Sequence, residues 1–257
     1  MDISGLLIDL DGTIYQGSRL IPGAVEAIDS LRAKQVPILF TTNTSRKSRR
    51  DILVSLTGLG FTAHEDEVFS APVAAAEWLA GQGLGKIQLL VPESTHDDFG
   101  RFTITSDDPE AVLVGDLGSA FTFERLNQAF RSLRAGSRLV AIHRNRFWIP
   151  DTGPTLDAGP FVAALEYGAG VQATLVGKPS PAFFHTAAAR TGVALERLAV
   201  VGDDVESDVK GARAAGLMAI QVRTGKYDPA LNERLPVEEK PHHVIDSIRD
   251  LPGLLND

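Results

Sequence analysis

Paired acids stand where two apolar runs end. Leu6-Leu7-Ile8 leads into Asp9-Leu10-Asp11-Gly12-Thr13, and Leu198-Ala199-Val200-Val201 leads into Gly202-Asp203-Asp204-Val205-Glu206-Ser207-Asp208. Two other apolar runs end on Thr42-Asn43 and on Gly177-Lys178-Pro179-Ser180-Pro181. These residue types make a set for phosphoryl transfer. A carboxylate can attack phosphorus and divide one difficult displacement into two. A second carboxyl, two residues on, can protonate a leaving oxygen and later deprotonate water. Crowded carboxylates call for a hard cation with oxygen ligands, which Mg²⁺ fits. A lysine and short polar donors can hold the charge of the transferring oxygens. Each group alone has a plainer reading: a turn at Asp9-x-Asp11-Gly12, a helix cap at Asp203-Asp204, a turn at Thr42-Asn43, an exposed Lys178. Their joint placement at four run ends favours the chemical reading.

The elements that must hold these groups are legible in outline. Short apolar runs alternate with helical stretches, the pattern of a parallel sheet covered on both faces. Ligands of such sheets sit beyond the carboxyl ends of the strands. Strands are expected over residues 36–41, 174–176, 198–201 and 218–222. Helices are expected from Ser45, as N-cap, to about residue 59, over 181–191 and over 206–215. A second α/β set fills the middle, with strands over 87–91, 111–114 and 139–142. A helix over 121–133 there carries Phe123, Leu126, Phe130 and Leu133 on one stripe. Residues 1–80 and 176–257 are therefore expected to form one discontinuous core, with residues 81–175 as an inserted domain.

Composition narrows the function classes. The 257 residues hold 25 Lys+Arg against 33 Asp+Glu, a formal net charge of −8. That balance argues against nucleic acid or an anionic membrane as the main partner. The basic cluster Arg46, Lys47, Arg49 and Arg50 reads as a solvated helix face. The chain has no cysteine, which excludes disulfides, thiolate catalysis and Cys-based zinc sites. No apolar run approaches the ~20 residues of a membrane span. No leader is evident at the N-terminus, and a cytoplasmic setting is expected.

The motifs resemble those of haloacid-dehalogenase-superfamily phosphatases. Asp9-x-Asp11-Gly12-Thr13, Thr42, Lys178 and Gly202-Asp203-x4-Asp208 are similar to the four motifs of that family. Asp11-Gly12-Thr13-Ile14-Tyr15-x-Gly17, Thr42-Asn43-x-Ser45 and Val176-Gly177-Lys178-Pro179-Ser180-Pro181 resemble the subgroup with a large cap inserted between motifs two and three. So do Leu156-Asp157-x-Gly159-Pro160-Phe161 and Val222-x-Thr224-Gly225-Lys226-Tyr227. The resemblance implies an α/β fold: a Rossmann-like parallel-sheet core with an inserted smaller α/β cap domain. It implies a Mg²⁺-dependent phosphatase hydrolysing small soluble phosphate compounds through an aspartyl-phosphate, with P–N or pyrophosphate bonds within the subgroup's range.

Carried over, the pattern makes Asp9 the nucleophile and a metal ligand. Asp11 becomes the general acid/base, and its backbone carbonyl a metal ligand. Thr42 and Asn43 bind the phosphoryl oxygens, and Lys178 bridges nucleophile and phosphate. Asp203 binds the metal directly, and Asp208 completes its surroundings. The inserted domain is expected to act as a lid, with residues 143–146 or the turn over 157–160 facing the core. It also offers a surface for a homodimer. Two other readings stay open: a phosphorylation-switch module and a catalytically weak phospho-ligand binder. Lys178 is no Walker lysine, since Pro179 follows it and Gln172 stands where that motif needs Gly.

Overall fold

The computed structural model describes residues 2–148 and 153–255, with the Trp148 side chain outside the description. The chain divides into two compact units. The first comprises Met1–Thr42, Ile52–Phe69 and Lys178–Asp257; the second comprises Asn43–Asp51 and Ser70–Gly177. The second unit runs over 70–177 where the sequence pattern has 81–175, and it also takes in Asn43–Asp51, which the pattern leaves in the core.

Core strands are β1 (Gly5–Asp9), β2 (Ile38–Thr42) and β3 (Val68–Ser70). Those of the insert are β4 (Lys86–Leu90), β5 (Thr103–Ile104), β6 (Ala111–Val114), β7 (Arg138–Ala141) and β8 (Thr174–Leu175). The chain then returns to the core with β9 (Leu198–Gly202), β10 (Met218–Val222) and β11 (His243–Ile245). The core sheet has the order β11-β10-β9-β1-β2-β3. Its register sets Ile8 beside Val201 and Asp9 beside Thr41, in parallel pairings. Acids at the ends of β1 and β9 thus come from adjacent strands. Every residue of both strands is buried, which explains their unbroken apolar sequence. Leu6, Ile8, Phe40, Ile28, Leu31, Val201 and Ile220 pack into one core. Phe40 and Phe61 meet edge to face at 5.3 Å, an arrangement worth ~1 kcal/mol beyond burial.

The insert has its own parallel sheet, ordered β8-β7-β6-β4-β5. Helices α1 (Phe123–Arg134) and α2 (Ala158–Ala169) pack on it through Leu133, Ala129, Val162 and Leu165. Phe123 departs from the expected stripe. It is the first residue of α1, just after the Thr122 cap, and is 76% exposed. No helix among the described residues is long and apolar enough to cross a membrane.

Two helix starts correct the sequence expectation. The helix expected from Ser45 begins at Arg49 and runs to Gly58. Ser48 takes the capping role: its hydroxyl accepts the Asp51 N–H at 3.1 Å, and Asp51 accepts from the Ser48 hydroxyl at 2.9 Å. The helix expected over 206–215 opens instead as a π-helical turn, Val205–Val209, before α-helix Lys210–Ala214. Periodicity cannot separate these forms, because both place Asp208 about one turn beyond Asp204.

Candidate active site

The first unit brings together Asp9, Lys178, Asp203 and Asp208. Asp9 ends β1 and is 8% exposed; Asp203 follows β9 and is 2% exposed. The wide turn at Val205–Val209 folds the Asp208 carboxylate back over Gly202, where a Cβ would collide with it. Lys178 opens the segment that returns to the first unit. Its ammonium donates to Asp9 Oδ1 at 2.7 Å and to Asp208 Oδ1 at 2.7 Å. It is 2% exposed, and its nitrogen lies 6.0 Å from the Phe183 ring centre. The plainer expectation of an exposed Lys178 is therefore wrong: two buried carboxylates need its charge. The Lys178–Pro179 peptide is cis.

Oxygens of Asp9, Asp203 and Asp208 lie within 4.8 Å of one another. Three carboxylates thus crowd against the single ammonium that touches two of them, and all are buried. Burial pushes the Asp9 carboxyl well above its usual range; Lys178 opposes this, while Asp208 and Asp203 add to it. Burial likewise raises Asp203 to about 6, with Asp208 contributing and the Lys226 backbone N–H opposing. Burial alone would lower Lys178, but Asp208 and Asp9 outweigh it and hold its ammonium protonated. Such an oxygen-rich, negatively charged cluster fits a hard divalent cation. The residues that could hold one are Asp9, Asp203 and Asp208, with Asp11 beside them in the chain.

Asp11 differs from these three in being exposed, which suits a group that must meet an outside partner. The turn after β1 is fixed by Gly12, whose φ is 87° and whose N–H donates to the Tyr15 carbonyl at 2.6 Å. Tyr15 keeps its phenolic proton to higher pH than usual, first through burial and then through Asp11 and Asp9. Thr42 ends β2 and is 5% exposed. Asn43, the next residue in the chain, is the first of the second unit.

A supporting loop stands behind Asp203 whose role residue types alone do not announce. Thr224-Gly225-Lys226 follows β10 and wraps Asp203. The Lys226 N–H donates to Asp203 Oδ2 at 2.6 Å, and the Thr224 hydroxyl donates to the Gly12 carbonyl at 2.5 Å. Gly225 has φ 60°, and a Cβ on it would run into both the Asp203 carboxylate and Gly12. Buried Gln221 donates to the Asp203 carbonyl at 2.9 Å. Asp204 turns away from the cluster. It caps the π turn through Glu206 and Ser207 and meets the Lys226 ammonium at 2.9 Å. Burial alone would raise its pKa, but Lys226 and those two N–H donors bring it below the usual value.

In the second unit, candidate substrate-facing residues are engaged internally. His143 meets Ser45 at 2.9 Å, Arg144 forms two hydrogen bonds with Glu166, and Asp157 caps α2. Arg46, expected on a solvated face, is paired with Asp116.

Known proteins share this plan. A family model described as haloacid dehalogenase-like hydrolase matches residues 6–100, and one described as HAD-hydrolase-like matches residues 175–251. Human haloacid dehalogenase-like hydrolase domain-containing protein 2 is 40% identical over 248 residues, covering 94% of this chain and 95% of that protein. Human phospholysine phosphohistidine inorganic pyrophosphate phosphatase is 36% identical over 259 residues, covering 98% and 94%. The crystal structure of a glycerol phosphate phosphatase from Mycobacterium tuberculosis, in complex with magnesium, superposes with a TM-score of 0.88. It is 30% identical and covers 97% of this chain and 76% of that one. With this likeness along nearly its whole length, the chain belongs to the haloacid dehalogenase-like hydrolase family and is a hydrolase of the phosphatase kind.

Proposed function

We propose that the protein hydrolyses small soluble phosphoric monoesters through an aspartyl-phosphate on Asp9. The observation that carries this reading is the buried Asp9–Lys178–Asp208 arrangement at the carboxyl end of the sheet, with exposed Asp11 two residues from Asp9. Asp9 attacks phosphorus, forming an Asp9–O–P bond as the ester P–O bond breaks. Asp11 gives its proton to the departing oxygen. It then takes a proton from the water that attacks the aspartyl-phosphate, releasing phosphate and restoring Asp9. Lys178 opposes the burial that raises the Asp9 carboxyl, aims it, and offers its positive charge to the phosphoryl oxygens. The Thr42 hydroxyl and the Asn43 amide hold those oxygens.

A divalent cation, Mg²⁺ by the chemistry of the donors, would supply charge neutralisation at Asp9, Asp203, Asp208 and the Asp11 carbonyl. The magnesium and calcium complexes of the glycerol phosphate phosphatase support a hard divalent cation there. The Lys226 N–H and the Gly225 contact orient Asp203 for this task, as supporting hydrogen bonds do around metal ligands.

The test is multiple-turnover phosphate release from 4-nitrophenyl phosphate and a panel of small phosphate compounds, with Mg²⁺ and with EDTA. Metal-dependent turnover supports the reading, and the ranking within the panel begins to name the substrate. Folded protein that releases no phosphate from any compound in Mg²⁺ contradicts it and favours a phospho-ligand binder.

A further inference from the structure

Thr42 and Lys178 are each joined in the chain to a residue of the second unit, Asn43 and Gly177. Within that unit the two segments meet at the end of β7. The Ile142 carbonyl accepts the Gly177 N–H at 2.9 Å. At the next residue, His143 Nε2 lies 2.9 Å from the Ser45 hydroxyl. A Cβ on Gly177 would press on both the Ile142 carbonyl and the Asn43 side-chain oxygen. One dipeptide, Ile142-His143, therefore anchors the segments next to two proposed phosphate-handling residues.

The Ser45–His143 pair is deeply buried, at 2% and 3% exposure. Ser45 Oγ also accepts the Asp116 N–H at 2.9 Å. Arg46 continues the anchor with two hydrogen bonds to Asp116, at 2.5 and 3.2 Å, and its carbonyl accepts from the Ser94 hydroxyl at 2.9 Å.

The composition Ser45, His143, Asp157 invites comparison with a nucleophile relay, but the geometry is wrong for one. Asp157 Oδ1 approaches the same ring nitrogen that meets Ser45, at 3.7 Å, and already accepts the Ala158 N–H at 2.7 Å. A relay needs the acid on the opposite nitrogen. Here that nitrogen, Nδ1, is buried with no hydrogen-bond partner among the described residues. A proton on Nδ1 would be a buried donor left unmade, so the proton belongs on Nε2. Burial also disfavours the charged ring, with Asp157 and Asp116 opposing.

We infer that His143 is a positioning residue for the phosphate-handling loop: with its proton on Nε2 it donates to Ser45 and so fixes the Asn43-Thr44 backbone that follows Thr42. The inference rests on the phosphatase reading above for its effect on turnover, but the anchoring itself can be read without turnover.

Ser45→Ala, His143→Gln and His143→Asn test it. A Gln amide nitrogen can stand where Nε2 stands, whereas the Asn amide reaches only the Nδ1 position. Ser45→Ala and His143→Asn should raise KM for 4-nitrophenyl phosphate and the inhibition constant of inorganic phosphate by roughly tenfold, with a smaller change in kcat. His143→Gln should stay within about threefold of the parent. Hydrogen exchange at residues 43–46 should quicken in Ser45→Ala and His143→Asn but not in His143→Gln. Parent-like KM, inhibition and exchange in Ser45→Ala would overturn the inference, as would equal behaviour of the Gln and Asn variants. Ser45→Ala removes one oxygen only, so it keeps the test open if a His143 variant fails to fold. A parent that shows no metal-dependent turnover, yet yields the expected exchange pattern, would sink the phosphatase reading and leave the anchor standing.

Discussion

Lys178 and Asp9 stand 169 positions apart in the chain and meet with Nζ 2.7 Å from Oδ1, both buried. The contact closes the core on itself: the strand that starts the chain is tied to the segment that re-enters after the insert. Because Asp208 shares the same ammonium at 2.7 Å, a single cation holds two of the three clustered carboxylates.

Replacing that cation tests how much depends on it. Lys178→Met keeps most of the volume and removes the charge, leaving the buried Asp9 and Asp208 carboxylates without their shared ammonium. Loss of one member of a buried pair costs about 3–5 kcal/mol. The variant should melt several degrees lower in EDTA, and its turnover should fall on the order of 10³-fold in Mg²⁺. Thermal melts beside steady-state kinetics measure both. Parent-like turnover would remove Lys178 from the mechanism.

Gly225 makes a separate prediction about the metal. With φ 60° and no room for a Cβ beside Asp203, Gly225→Ala must displace that carboxylate. The Mg²⁺ concentration for half-maximal turnover should rise about 10- to 100-fold, with a smaller loss of kcat at saturating metal. An unchanged metal requirement would mean that Asp203 does not hold the cation.

Much of the fold was legible because β1 and β9 are buried on both faces and so are written as unbroken apolar runs ending on acids. The site was legible for the same reason: strand ends in a parallel sheet converge, so Asp9, Lys178, Asp203 and Asp208 could be grouped from the runs they follow. Local hydrogen bonding was harder to read. Ser45 and Ser48 are equally good caps by type, and only the reciprocal bonds of Ser48 with Asp51 and the single bond of Ser45 with His143 decide between them. The role of Thr224-Gly225-Lys226 was hidden because it acts chiefly through a backbone N–H, an absent Cβ and a main-chain acceptor on Gly12, which side-chain chemistry does not announce.

Asp98 gives a pH dependence. Its carboxylate accepts the Arg49 N–H at the start of helix Arg49–Gly58, at 3.2 and 3.4 Å. Burial raises its pKa from 3.8 to about 6; the Arg49 N–H and charge oppose, and Asp97 and Asp51 add to the rise. A carboxyl that holds its proton more tightly when folded favours the folded state in acid. That advantage is lost as pH rises from the ordinary value through about 6. Asp98→Asn carries no such titration, so its stability relative to the parent should improve from about pH 4.5 to about pH 7.5. The gain should be on the order of 1 kcal/mol after allowance for partial exposure. Denaturant melts at the two pH values check the sign, and a relative loss toward neutral pH would contradict it.

The most direct test of the account is to catch the covalent step. The protein would be mixed with excess 4-nitrophenyl phosphate and Mg²⁺, quenched in acid within one turnover, digested, and mapped by mass. We predict one added phosphoryl group on the peptide that contains Asp9, absent from Asp9→Asn, which should also release no phosphate. A phosphoryl group on another residue, or continued phosphate release by Asp9→Asn, would contradict the assignment of Asp9 as nucleophile.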